Sequence, residues 1–94
     1  MGELFLVPAQ TVLIDGVQVS TYEYPTEATL DEERAAISRD GYSLPTKTGG
    51  LAMVEWVVPP HFYSGGKLLV LYVGDKQRTL EALDLLLGPQ FAGG

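Results

Sequence analysis

An α+β fold, an antiparallel sheet of four to five strands with two helices on one face, is predicted by three observations. Asp15-Gly16 separates two short stretches of strand-forming residues, Thr11 to Ile14 and Val17 to Ser20, in the pattern of a tight hairpin. Two aliphatic runs, Leu51 to Val58 and Lys67 to Val73, have the length and composition of strands. Two further stretches, one after Thr29 and one after Asp75, carry helix start and stop residues around a periodic apolar stripe.

Taken in chain order, Leu4 to Val7 reads as a brief strand closed by Pro8. Asp15-Gly16 supplies the positive φ angles of a two-residue turn, which sets Ile14 opposite Val17 and Val12 opposite Val19 on an apolar face. Tyr22 and Tyr24 then fall on the face of Gln18 and Ser20, so either a bulge shifts the register or that face turns aromatic. Pro25 ends the strand. Thr29 and Glu32 have capping-box spacing, Asp31, Glu32 and Glu33 suit the positive end of a helix dipole, and Gly41 suits a stop. The apolar face of this helix is thin, with Leu30, Ala35, Ala36 and Ile37, which predicts a peripheral position. Residues 42–50 read as a loop.

The run from Leu51 to Val58 puts Ala52, Val54, Trp56 and Val58 on one pleat face and Leu51, Met53, Glu55 and Val57 on the other. Pro59-Pro60 stops it, and residues 61–66 connect it to the Lys67 run as an antiparallel neighbour. Asp75 or Thr79 caps the second helix, whose Leu80, Leu83, Leu86 and Leu87 form the stripe that Gly88-Pro89 terminates. The order strand, hairpin, helix, strand, strand, helix suits a ferredoxin-like or β-grasp-like arrangement in a single domain, 1–94, with a flexible tail from about residue 89.

At 94 residues and 46% hydrophobic content the chain supports one core, whose stability gains from surface buried elsewhere, for instance by oligomerisation. A net charge of −6, with only six Lys and Arg, excludes the clustered positive charge that nucleic acid demands. No apolar run is long enough to span a bilayer, and the first eight residues lack the basic start of an export signal, so the expected compartment is the cytoplasm. The absence of cysteine excludes disulfides, thiolate catalysis and Cys-containing zinc sites, and no metal or cofactor is expected.

Two residues are candidate acid–base groups. His61 is the sole imidazole and has Ser64 and Gly65-Gly66 nearby, while Trp56, Phe62 and Tyr63 are candidates for an apolar binding wall. Glu55 is the one charge in an apolar strand, so it either faces solvent or occupies a pocket where burial raises its affinity for a proton. Lys76 and Arg78 lie at a strand-to-helix junction where free amides attract anions, although the glycine pattern of a phosphate loop is missing.

Phe91-Ala92-Gly93-Gly94 resembles the C-terminal Gly-Gly of the ubiquitin-like sulfur carriers of molybdopterin and thiamine synthesis. That resemblance, which covers the tail alone, implies a β-grasp fold whose last glycine is adenylated and converted to a thiocarboxylate.

The residues themselves point to a small, non-catalytic binding or assembly module that self-associates and has a small-molecule or protein partner. The alternatives are a minimal enzyme using Glu55 or His61 in a pocket between subunits, and a sulfur carrier. Because both long runs are apolar on both faces and both helices are expected on one, the open face is expected to meet a second copy through Met53, Val57, Leu69 and Leu71.

Overall fold

The hairpin adopts the register that its side chains dictate: β1 (Gln10–Ile14) pairs antiparallel with β2 (Val17–Glu23), Ile14 opposite Val17 and Val12 opposite Val19. The computed structural model describes residues 4–14 and 16–94. Asp15, half of the predicted turn, and the first three residues of the chain lie outside that description. Gly16 has φ +79°, a region open to glycine and strained for other residues. The register runs unbroken to Gln10 opposite Thr21, so no bulge intervenes, and Tyr22 and Tyr24 turn their face of the sheet aromatic.

Helix α1 (Glu27–Ala36) starts earlier than its capping-box signature implies. Thr26 is the cap, its hydroxyl accepting from the Thr29 amide at 3.1 Å, because Pro25 holds the preceding chain extended and the helix begins directly after it. Leu30 is its one fully buried residue. The helix ends before Ile37, and Gly41 belongs to the next turn, where Asp40 accepts from the Ser38 hydroxyl at 2.6 Å and the Tyr42 amide at 3.0 Å. Those two bonds, the Ser38 one first, hold the Asp40 carboxyl below its ordinary range.

The predicted strand from Leu51 to Val58 is largely replaced by irregular chain. Only β4 (Leu51–Met53) is a strand, and it pairs with β3 (Ser43–Pro45) in a separate two-stranded sheet rather than beside the Lys67 run. The reason lies in its neighbours: the Val54 amide donates to Tyr42 O at 2.8 Å and the Trp56 indole donates to Gly41 O at 2.8 Å, which bends the segment over the core. The pleat alternation survives this bend. Ala52, Val54 and Trp56 face inward, and Leu51, Met53, Glu55 and Val57 are exposed.

The neighbour of β6 (Leu68–Val73) is instead β5 (Pro60–Gly65), the segment expected to be a connection; Gly66-Lys67 closes a tight hairpin between them. Helix α2 (Gln77–Leu87) follows, with Lys76 at its cap position and no capping side chain, so neither Asp75 nor Thr79 caps it. Nor is the chain beyond residue 89 free. It forms β7 (Ala92–Gly93) against β5, with the Phe91 amide donating to Phe62 O and the Gly94 amide to Pro60 O, both at 2.9 Å.

The main sheet therefore has the order β1-β2-β6-β5-β7. Its helices lie on opposite faces, not on one. Strand β6 turns Leu69 and Leu71 to one face and Val70 and Tyr72 to the other, and a sheet apolar on both sides needs cover on both. Leu30 of α1 joins Phe5, Tyr22, Phe62, Leu69 and Leu71 in one core; Leu83 of α2 joins Val19, Tyr63, Val70 and Tyr72 in the other. Phe5 reaches the first core through a left-handed backbone, φ +66°, and its ring sits 4.6 Å from that of Tyr22. Leu69 and Leu71, expected at an intermolecular face, are 0% and 7% exposed because α1 and the N-terminal segment cover them.

Candidate functional groove

Strands lie about 4.8 Å apart, and a helix with its side chains is about 10 Å wide, so one helix covers roughly two strands. Helix α2 packs over β5 and β6, with Leu83 against Tyr63, Val70 and Tyr72. The corresponding face of β1 and the outer part of β2 are left open. There Val12, Ile14 and Val19 form the floor, and Leu83, Leu86 and Leu87 of α2 form one wall, of an apolar groove of about 390 Å³. Val12 is 43% and Leu86 70% exposed. Glu23, at one end, is the one charged side chain lining it.

The groove is built from residues whose sequence signal specifies local structure and not a site. Val12, Ile14 and Val19 were recognisable as one hairpin face, and Leu86 as an extension of the α2 stripe. What places them together is the route from β6 through Gly74 to Lys76, which lays α2 across the sheet short of its β1 edge.

His61 is 5% exposed and lies outside the groove. Its Nε2 is 2.9 Å from Gly74 O, which can only accept, so Nε2 donates; its Nδ1 is 2.6 Å from Gln90 Oε1. The Gln90 amide nitrogen in turn donates to Gly94 O at 3.1 Å, and the His61 ring stacks with Tyr72 at 5.9 Å. Both ring nitrogens thus lie within hydrogen-bond distance of an oxygen, at contacts that bring together β5, the segment before α2 and the tail. Ser64 is two residues further along β5 than Phe62, on the same pleat face, opposite Leu69, and is not brought to His61.

Trp56, Phe62 and Tyr63 do not form one wall. Phe62 and Tyr63 are successive strand residues that point to opposite faces, at 0% and 1% exposure in the two cores, and Trp56 packs at the margin of the first. Glu55 is exposed on the irregular stretch after β4. Met53 and Val57 are exposed at 75% and 99%, so the four residues expected to share one interface are split between surface and core.

Lys76 lines a cavity of about 550 Å³ and mixed character that opens where β2 and β6 part beyond the Ser20–Leu71 pair, with Thr11, Gln18, Ser20 and Asp75 as its other polar side chains and Val17, Leu71 and Val73 as its apolar ones. Gly93 ends β7, where a Cβ would run into Pro60 O, and Gly94 follows it with its amide donating to the same Pro60 O. Among the described residues, three or more His, Asp or Glu side chains nowhere gather as metal ligands, and no helix is long and apolar enough to cross a membrane. Comparison with protein-family models, with curated proteins and with solved structures returns no match.

Proposed function

We propose that this chain is a small, non-catalytic binding module that docks one amphipathic helix of a partner protein in the groove between α2 and the β1–β2 hairpin. The observation that carries the reading is the match of width and lining: β1 and the outer part of β2 are open, near the breadth of one helix, the wall is leucine, and the floor is aliphatic at Val12, Ile14 and Val19 with Gln10 and Thr21 as its polar end. The partner helix is basic on its polar side. Glu23 is the charge at the groove's end and the chain carries −6 overall, so a Lys- or Arg-bearing helix is favoured in both encounter and register.

The acid–base alternatives draw less support. His61 has both nitrogens within hydrogen-bond distance of carbonyl oxygens, and Glu55 stands in solvent away from the groove.

The test is titration of ¹⁵N-labelled protein with a synthetic leucine/lysine amphipathic helix. The expected result is saturable shift changes at Val12, Val19, Thr21 and Leu86 with a dissociation constant below about 1 mM, weakened by salt. Leu86→Asp should abolish them without unfolding the protein, because that side chain is already exposed. Shifts absent at millimolar peptide, or unaffected by Leu86→Asp, would overturn the reading.

A further inference from the structure

β1 is an open sheet edge, and nothing in it discourages pairing. It is five residues long, continuous in register with β2, and carries no proline, bulge or charge, whereas edge strands that must stay single are blunted by such features. The neutral stretch is longer than the strand: residues 4–14 contain no charged side chain in a chain of net charge −6. Two acidic copies therefore meet least repulsion there.

Hairpin geometry says which groups are free. With Ile14 and Val17 flanking a two-residue turn as a hydrogen-bonded pair, Val12–Val19 and Gln10–Thr21 are hydrogen-bonded pairs as well, by alternation. The N–H and C=O groups of Thr11 and Leu13 accordingly point away from β2. A two-fold axis through Val12 sets Thr11 of each copy opposite Leu13 of the other, and all four donors then meet acceptors. Leu13, 65% exposed, lies beside the axis.

The opposite edge cannot serve. β7 has two residues, and the Gly93 amide already donates to Arg39 O of its own chain at 2.9 Å. A sheet with one open edge closes as a two-fold pair instead of growing into a filament.

We propose that β1 pairs antiparallel with β1 of a second copy, giving a ten-stranded sheet in which the two apolar grooves merge into one trough. The floor of that trough is β2, β1 and their two symmetry mates, four strands or about 19 Å across, with an α2 on either side. By the same measure of about two strands per helix, it has room for two partner helices lying side by side, one on each chain's strands. The shared trough rests on the groove reading; the strand pairing does not. A five-residue edge with Leu13 and the rims of the grooves falls below about 1,200 Å² of buried surface, the range of weak, concentration-dependent association.

Sedimentation equilibrium from about 1 to 500 μM, a range chosen for such weak pairs, should show the mass rising from 10.2 kDa toward twice that value. The amides of Thr11 and Leu13 should gain hydrogen-exchange protection over the same range. Leu13→Lys should hold the protein at the monomer mass with its melting temperature unchanged, while Leu86→Asp should leave the dimer intact. A constant monomer mass, assembly beyond two chains, or dimerisation that Leu13→Lys leaves untouched would overturn the proposal. A dimer that takes a single helix, or whose two helices bind independently of pairing, would overturn the shared trough. A dimer that ignores the helix peptide refutes the groove reading alone, and a monomer that binds it refutes the pairing alone.

Discussion

The Tyr24 hydroxyl donates to Glu33 Oε1 at 2.9 Å, and the same oxygen accepts the Leu6 amide at 2.8 Å. One carboxylate thereby ties the end of β2, helix α1 and the N-terminal segment that inserts Phe5 into the core. Tyr24→Phe should lower stability by about 1–2 kcal/mol, and Glu33→Ala by more because two donors lose their acceptor. Urea denaturation of the two variants, with the slopes unchanged, would check the order.

Burial raises the phenols of Tyr22, Tyr24 and Tyr63 above the ordinary value of 10.0, and at Tyr24 the bond to Glu33 adds to it. A raised folded value means that the unfolded chain ionises first. The stabilisation from these neutral tyrosines is complete below pH 10 and is lost as pH climbs beyond it. Melting temperature should therefore fall steeply above pH 10, less so in Tyr24→Phe, with Tyr22, Tyr24 and Tyr63 ionising together with unfolding. Resonances of Tyr22, Tyr24 or Tyr63 that titrate at 10.0 in the intact fold would contradict this.

Gly16 has φ +79° with open space around the position of a Cβ, so a substitution there reports backbone strain without a steric clash. Gly16→Val should destabilise by at least ~1 kcal/mol. An unchanged denaturation midpoint would show that the turn relaxes to another form.

His61→Ala removes a buried ring and strips Gly74 O and Gln90 of a partner, so a loss of about 2–4 kcal/mol is expected. Glu55→Gln, at an exposed site, should change stability by no more than about 0.5 kcal/mol. Neither should alter helix binding in the groove beyond what unfolding explains. A selective loss of binding in folded His61→Ala would give the imidazole a part in recognition.

Gly93→Ala drives a methyl group into Pro60 O at φ +113°, and β7 cannot shift without breaking its bonds to β5 and Arg39. Destabilisation of about 2 kcal/mol or more is expected, with the β7 amides losing exchange protection first.

The hairpin, both helices and the Lys67 to Val73 strand are legible because each is specified by its own residues, a turn glycine, an apolar stripe or an aliphatic run, whereas the caps expected at Thr29 and at Asp75 or Thr79 are not the ones the helices use. Residues 51–58 were misread for the same reason. Their alternation is real, but the same period serves a bent segment lying on a core as well as a long strand, and only the bonds from Val54 and Trp56 to Tyr42 and Gly41 decide between the two. The sequence of β5 reads as a connection because Pro60, His61 and Gly65 are poor strand formers, and pairing with β6 overrides that preference.

The chain's own order of residues determined an α+β domain, a hairpin register centred on Val12 opposite Val19, and a β6 strand apolar on both sides. It could not determine which cover each side would receive. That was settled by long-range pairing: β6 sits between β2 and β5, the connections at Tyr24–Thr26 and Gly74–Lys76 leave on opposite faces, and α1 and α2 each take one. The groove follows from that placement, since one helix cannot span the strands it faces. No local pattern encodes a gap of this kind, because it is a difference between the width of a sheet and the width of a helix.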